Sequence, residues 1–167
     1  MDNVRILTEY QEFLRIVKSE TIEVPITSAT QFQYSFGIQQ NLKNALITGL
    51  ETFTNTQMTL SPLNNPLAVP ADFNRAYLQL ASAQNKVDIN NIPLYSIQSN
   101  PGLLRLFDYK AVDWQNCYVN IANNPLAPVP ATPSRSFVFT VYYVERQQKD
   151  DLMKRIAQWT ESVLKMK

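Results

Sequence analysis

The sequence predicts a mainly all-β fold, an antiparallel β-sandwich or jelly roll of about eight strands with amphipathic helices at the N- and C-termini. Three observations predict it. Short segments of period-two alternation recur between residues 21 and 145, separated by proline and asparagine turns. Arg135 to Glu145 is apolar or aromatic on both faces, Phe137, Phe139, Val141 and Tyr143 on one side and Val138, Tyr142 and Val144 on the other, so a strand here must be covered twice. At both ends of the chain the apolar period changes to that of a helix. The expected organisation is an N-terminal helix over 1–20, a single jelly-roll body over 21–145 and a C-terminal helix over 146–167. At 167 residues the chain fits one domain that buries roughly two-thirds of its unfolded surface. An immunoglobulin-like sandwich fits less well, because it is usually shorter and the Cys-Trp-Cys frame is absent.

Taken in order, residues 4–18 space Leu7, Tyr10, Leu14 and Val17 at three, four and three, with charged side chains between them, which gives the first helix. Thr21 to Thr27 then alternates, and Pro25, lacking an N–H, places this strand at an edge or interrupts it. Gln31 to Ile38 alternates fully, with Phe32, Tyr34, Phe36 and Ile38 on the core side. Ala45 to Thr54 alternates less strictly and carries Gly49 at a bend or bulge. A short strand through Met58 and Leu60 precedes a loop set by Pro62, Pro66 and Pro70. Phe73 to Ser82 reads as a strand with Ala76, Leu78 and Leu80 inward, a short helix over 72–81 being the alternative. Val87 to Leu94 reads as a hairpin turning on Asn90-Asn91. Residues 103–115 read as irregular or partly helical, and Gln115 to Ala122 as a strand with Cys117, Val119 and Ile121 on one face. Pro125, Pro128, Pro130 and Pro133 make a stiff surface crossover. After the 135–145 strand, Leu152, Ile156, Trp159 and Val163 repeat at four, three and four, which gives the closing helix.

Composition excludes much chemistry. The chain has no histidine and one cysteine, Cys117, so the commonest general base, a Cys/His zinc site and an intramolecular disulfide are all missing. Three glycines supply no phosphate-cradling loop. No catalytic, cofactor-binding or metal-ligating residue is therefore expected. The formal net charge of +1 gives no electrostatic reason for direct nucleic-acid binding. No apolar run approaches a membrane span and no secretory leader is visible, so a soluble product is expected. Asn and Gln number 28 against 29 charged residues, and the charges concentrate at the two ends, leaving twelve in the 124 residues between them. The body keeps hydrogen-bonding capacity while holding charge down.

Two groups of residues are candidates for function. The helix stripes, Leu7, Tyr10, Leu14 and Val17 with Leu152, Ile156, Trp159 and Val163, either cover an open end of the body or pack against neighbouring subunits, where Trp and Tyr are favoured. Asp108, Tyr109, Asp113 and Trp114 form the densest polar and aromatic cluster of the body. They read either as a solvated loop with aromatics tucked beneath it or as a site where Tyr109 and Trp114, with Tyr95 or Tyr118, stack on a sugar. The same carboxylates could ligate calcium. A glycosidase needs two facing acids, and no pair is brought together by sequence.

The run Thr30-Gln31-Phe32-Gln33-Tyr34, the segments Asn91-Ile92-Pro93-Leu94 and Val112-Asp113-Trp114, and the Phe137 to Val144 strand resemble virion proteins of tailless icosahedral bacteriophages with small genomes. The resemblance spans residues 20–145 and rests on pattern and texture. It implies a single jelly roll acting as a vertex (penton) or minor capsid protein. Such a protein is made in the host cytoplasm and incorporated in the virion, with copies of itself, as a pentamer, and other capsid proteins as partners. It carries over no catalytic residue. The rival expectation is a jelly-roll carbohydrate-binding or attachment module, and a carboxylate hydrolase comes third.

Overall fold

A computed structural model describes residues 11–28, 31–60, 64–82, 87–97, 105–122 and 135–165, with the backbone alone described at 87–91, 105–108, 159, 160 and 163–165. It is mainly β. The described elements are α1 (11–16), β1 (Lys18–Ile26), β2 (Gln33–Ser35), β3 (Ala45–Phe53), α2 (Pro70–Phe73), β4 (Ala76–Ala81), β5 (Val87–Pro93), β6 (Arg105–Ala111), β7 (Tyr118–Ile121), β8 (Arg135–Glu145) and α3 (Arg146–Lys165). The eight strands form two antiparallel four-stranded sheets, β1-β8-β3-β6 and β2-β7-β4-β5. The pairs β1·β8, β2·β7, β3·β6 and β4·β5 nest one inside the next along the chain.

β8 runs between β1 and β3, as its two apolar faces require. Phe137, Phe139, Val141 and Tyr143 enter the main core, while Val138 and Val144, pointing the other way, are buried outside it. Each such side chain taken out of water stabilises the fold by about 1.5–3 kcal/mol. The core draws on both sheets, with Val24, Leu50 and Phe139 from one meeting Tyr34, Leu78 and Val119 from the other. Phe36 packs on Phe139 at 4.9 Å between ring centroids, and Phe73 on Phe137 at 5.2 Å.

β1 is an edge strand, and Pro25 sits there without cost to the ladder. It stands opposite Ser136, whose N–H donates to Pro66 O and whose carbonyl accepts from Ala68 N, both at 2.9 Å, so the Ser136 backbone is bonded away from the proline. The register of β3 shifts between Ile47 and Gly49 against both neighbours; against β8 Thr48 is the extra residue, whereas against β6 the surplus lies on β6. That bulge explains the loose alternation: Ala45 and Ile47 face the core before it, Leu50 after it.

Several sequence expectations change. The strand expected over 31–38 shrinks to Gln33–Ser35, because Gly37 at φ 68°, its N–H held 3.0 Å from Ser35 Oγ, turns the chain. Tyr34 and Phe36 remain buried, but Phe32 and Ile38 are exposed, Ile38 at 64%. Among the described residues a single bridge, Leu60 to Pro66, stands where the strand through Met58 and Leu60 was expected. The 72–82 stretch is both things in turn, the short helix α2 and then β4. Asn90-Asn91 does not turn a hairpin: both lie within β5, at a point where Leu78 pairs with Ile92 and Leu80 with Ile89, so an extra residue is absorbed as a bulge. Residues 105–111 are strand β6 rather than irregular. β1 starts at Lys18, inside the stretch expected to be helix. The proline crossover at 123–134 lies outside the described residues.

Candidate subunit-contact surfaces

The first surface is the end of sheet one where the terminal helices meet. Lys18 lies opposite Tyr143, so α1 leads into β1 where α3 leaves β8. An ion pair of Lys18 with Glu145 ties the two junctions, and Glu12 pairs with Arg15 at 2.6 Å and with Arg155 on α3 at 3.5 Å. Tyr109 lies beneath both helices, with Phe13 edge-on at 6.1 Å and Lys149 Nζ 4.2 Å from its ring centroid. Its backbone is at φ 47°, unusual for a bulky side chain. The cause is local: between the pairs Ile47·Lys110 and Gly49·Leu106, β6 spends four steps where β3 spends two.

Of the expected stripe, Leu152 is buried, Val17 and Ile156 are half-buried, and Leu14 is 54% exposed. Leu7 and Tyr10, and the side chains of Trp159 and Val163, lie outside the described residues. Phe13, not Leu14, makes the described aromatic contact with the body. The sequence carries a signal for it, since Tyr10, Phe13 and Val17 are also spaced at three and four.

The described members of the expected sugar-stacking group, Tyr109 and Trp114, pack in different directions. Trp114 is 4% exposed and packs on Phe36 at 5.5 Å, so its ring is largely taken up by the core, although the residue also lines the cleft beside it. Tyr109 is taken up by Phe13 and Lys149, Tyr95 is 54% exposed, and the side chain of Asp108 lies outside the described residues. Asp113 accepts from Asn116 Nδ2 at 2.8 Å, which fixes the short turn at Trp114–Asn116. Beside that turn is an open cleft of about 430 Å³ whose rim includes Ile38, Gln39, Gln40, Lys43, Asp113 and Gln115. Cys117 is fully buried, its Sγ donating to Asp113 O at 3.1 Å and accepting from Ala81 N, and burial pushes the thiol up to about 12. It is a packing residue. Among the described residues no three metal-ligating side chains gather, and no helix is long and apolar enough to cross a membrane.

Among the described residues the buried charged side chain is Asp72, on α2 between Arg75 at 3.7 Å and Arg135 at 3.2 Å. It also accepts from Val69 N at 3.0 Å, capping the helix, so its partners are structural.

The second surface is the outer face of sheet two, which sequence reasoning missed. Register sets Gln33, Asn120 and Tyr77 in one row and Ser35, Tyr118 and Gln79 in the next. All six are at least partly exposed, and Asn120 Nδ2 donates to Gln79 Oε1 at 3.3 Å. None is charged. The four strands of sheet one carry nine charged residues, whereas those of sheet two carry one, Asp88. The signal available in sequence was this lack of Lys, Arg, Asp and Glu at the outward positions of alternating strands.

Comparison of the chain with known proteins finds no matching family model, no matching curated protein and no matching solved structure.

Proposed function

We propose that the chain is a jelly roll and a structural, self-associating subunit of an icosahedral viral shell, in the role of a vertex protein. The observation that carries the reading is the strand order. Nested antiparallel pairs distributed over two sheets as 1-8-3-6 and 2-7-4-5 are what a long hairpin ribbon yields when it is rolled up, and such rolls recur in capsid and lectin domains. Two further features favour the shell over carbohydrate binding. The body is poor in charge and rich in amide side chains, which lowers the cost of burying polar surface against copies of itself. The ring of Trp114, the best stacking candidate, is largely spent on the core.

In this reading the terminal helices and the outward-facing strands meet neighbouring subunits or other shell proteins. Sedimentation equilibrium and mass measurement of the purified chain test it. The expected result is a closed oligomer, five copies for a vertex, that joins shell partners on mixing. A strict monomer at high concentration that binds no shell protein overturns it.

A further inference from the structure

We propose that Glu23 and Ser136, on the outer side of sheet one beneath the Asn65–Pro66 segment, hold a calcium ion. The site stands on its own residues and does not depend on self-association.

β1 sends Ile22, Val24 and Ile26 into the main core, so Glu23 stands on the opposite face, and β8 sends in Phe137 and Phe139, so Ser136 stands there too. Glu23 pairs with Val138 and Pro25 with Ser136, which makes Glu23 and Ser136 diagonal neighbours, about 7–8 Å apart at the backbone and within reach of a long side chain. One segment covers both. Asn65 Nδ2 donates to Glu23 Oε1 at 2.7 Å, and the carbonyl of the next residue, Pro66, accepts from Ser136 N at 2.9 Å. Beneath this cover each side chain keeps a buried oxygen, Glu23 Oε2 and Ser136 Oγ, that has no hydrogen-bond partner among the described residues. Ser136 is 1% exposed. Buried polar atoms are almost always satisfied, and two neighbours that are not mark the place of a water or an ion.

Charge decides between those two. Glu23 is half-buried and brings a carboxylate, while β1, β3 and β8 carry two cationic side chains, Lys18 and Arg135, which pair with Glu145 and Asp72. Residues 64–68 bring no cation either. A water between the two oxygens completes their hydrogen bonding but leaves the carboxylate without a counter-charge, whereas a cation answers both needs. The donors are a carboxylate and a hydroxyl, all oxygen, which suits a hard ion and disfavours zinc or copper. Calcium fits better than magnesium, because it accepts an irregular ligand set and fills its shell with waters and carbonyls. A single carboxylate makes the binding weak, with a dissociation constant of about 10⁻³ M.

The experiment frees the full-length chain of divalent ions with a chelator and follows thermal melting by circular dichroism in calcium, magnesium or sodium chloride at matched ionic strength. The expected result is a melting temperature raised by about 4 °C when calcium reaches about ten times its dissociation constant, less by magnesium and not by sodium. Glu23→Gln and Ser136→Ala should each raise the calcium concentration needed by about tenfold or more. In chelator, Ser136→Ala should melt no lower than wild type, because it deletes a buried hydroxyl that has no partner, so its lost response is not lost folding. A wild-type melting temperature indifferent to calcium, the result for a site that holds water only, overturns the proposal. So does a calcium response equal in wild type and both variants.

Discussion

The two sheets are built from the same strand-and-turn materials, yet among the described residues only the strands of sheet one bury apolar side chains outside the main core. Sheet one has the longer strands, nine residues in β1 and β3 and eleven in β8, and its central strand is apolar on both faces. Sheet two is shorter, with three residues in β2, four in β7 and six in β4, and its described strands alternate between buried and partly exposed positions. The lesson is that coverage is written in the alternation. A strand with two apolar faces demands helices or loops above it, and here the chain provides them by sending α1 and α3 to the same end of sheet one. A strand with one apolar face leaves the other for water or for a partner, and its charge content then decides which.

The contrast is broken most severely at β8. Val141→Asp places a carboxylate in the main hydrophobic core and is expected to cost more than about 4 kcal/mol, enough to unfold a marginal domain, as measured by urea titration. Leu152→Ala removes the described buried anchor of α3 and should cost about 2 kcal/mol, with amide exchange accelerated in α3 ahead of the sheets. A global loss of protection instead would mean that helix and sheet unfold as one unit.

A smaller effect lies on the outer face of sheet one. Tyr142 donates to Glu51 Oε1 at 2.6 Å, and this bond, with burial, pushes the phenol up to about 12. Tyr142→Phe should cost about 1 kcal/mol, the pair being partly exposed. Burial moves the Cys117 thiol in the same direction, to about 12. In both cases the folded chain holds a proton that the unfolded chain gives up sooner, near pH 9 for the thiol and near pH 10 for the phenol. Their contribution is complete below those values and is lost as pH rises towards 12. Stability measured by urea titration should therefore decline between pH 9 and 12, and less steeply in Tyr142→Phe. The same burial predicts that Cys117 resists alkylation at pH 8 until the chain is unfolded. Smallest of all, Gln79→Lys on sheet two should shift stability by no more than about 0.5 kcal/mol.

What the sequence revealed follows from where its rules are local. The two-faced pattern of 135–145 is unambiguous, and β8 has those bounds. The dip in alternation at Gly49 marks a true bulge, because a single extra residue leaves a phase change that can be read in the chain. The Asn90-Asn91 pair misleads for a related reason. Asparagine suits bulges as well as turns, and only the partner strand β4, distant in sequence from neither but silent about register, decides between them. β6 was missed because its surplus residues around Tyr109 erase the period altogether. The aromatic cluster Asp108, Tyr109, Asp113 and Trp114 was legible as a group along the chain, but Tyr109 turns to the helices and Trp114 to the core, a parting that depends on backbone geometry. The neutral face of sheet two needed strand order, since its six residues come from three separate segments.

The nested pairing sets a timetable for folding. β4 and β5 are close in sequence and pair first at little entropic cost, while β1 must wait for a strand that begins more than a hundred residues later. Because β8 separates β1 from β3, a chain still being synthesised holds both of these strands with their facing edges unsatisfied until its last strand emerges. Sheet one, and with it the platform for both helices, is therefore completed only once β8 has emerged. The surface that the two helices build over that end of sheet one matures with it.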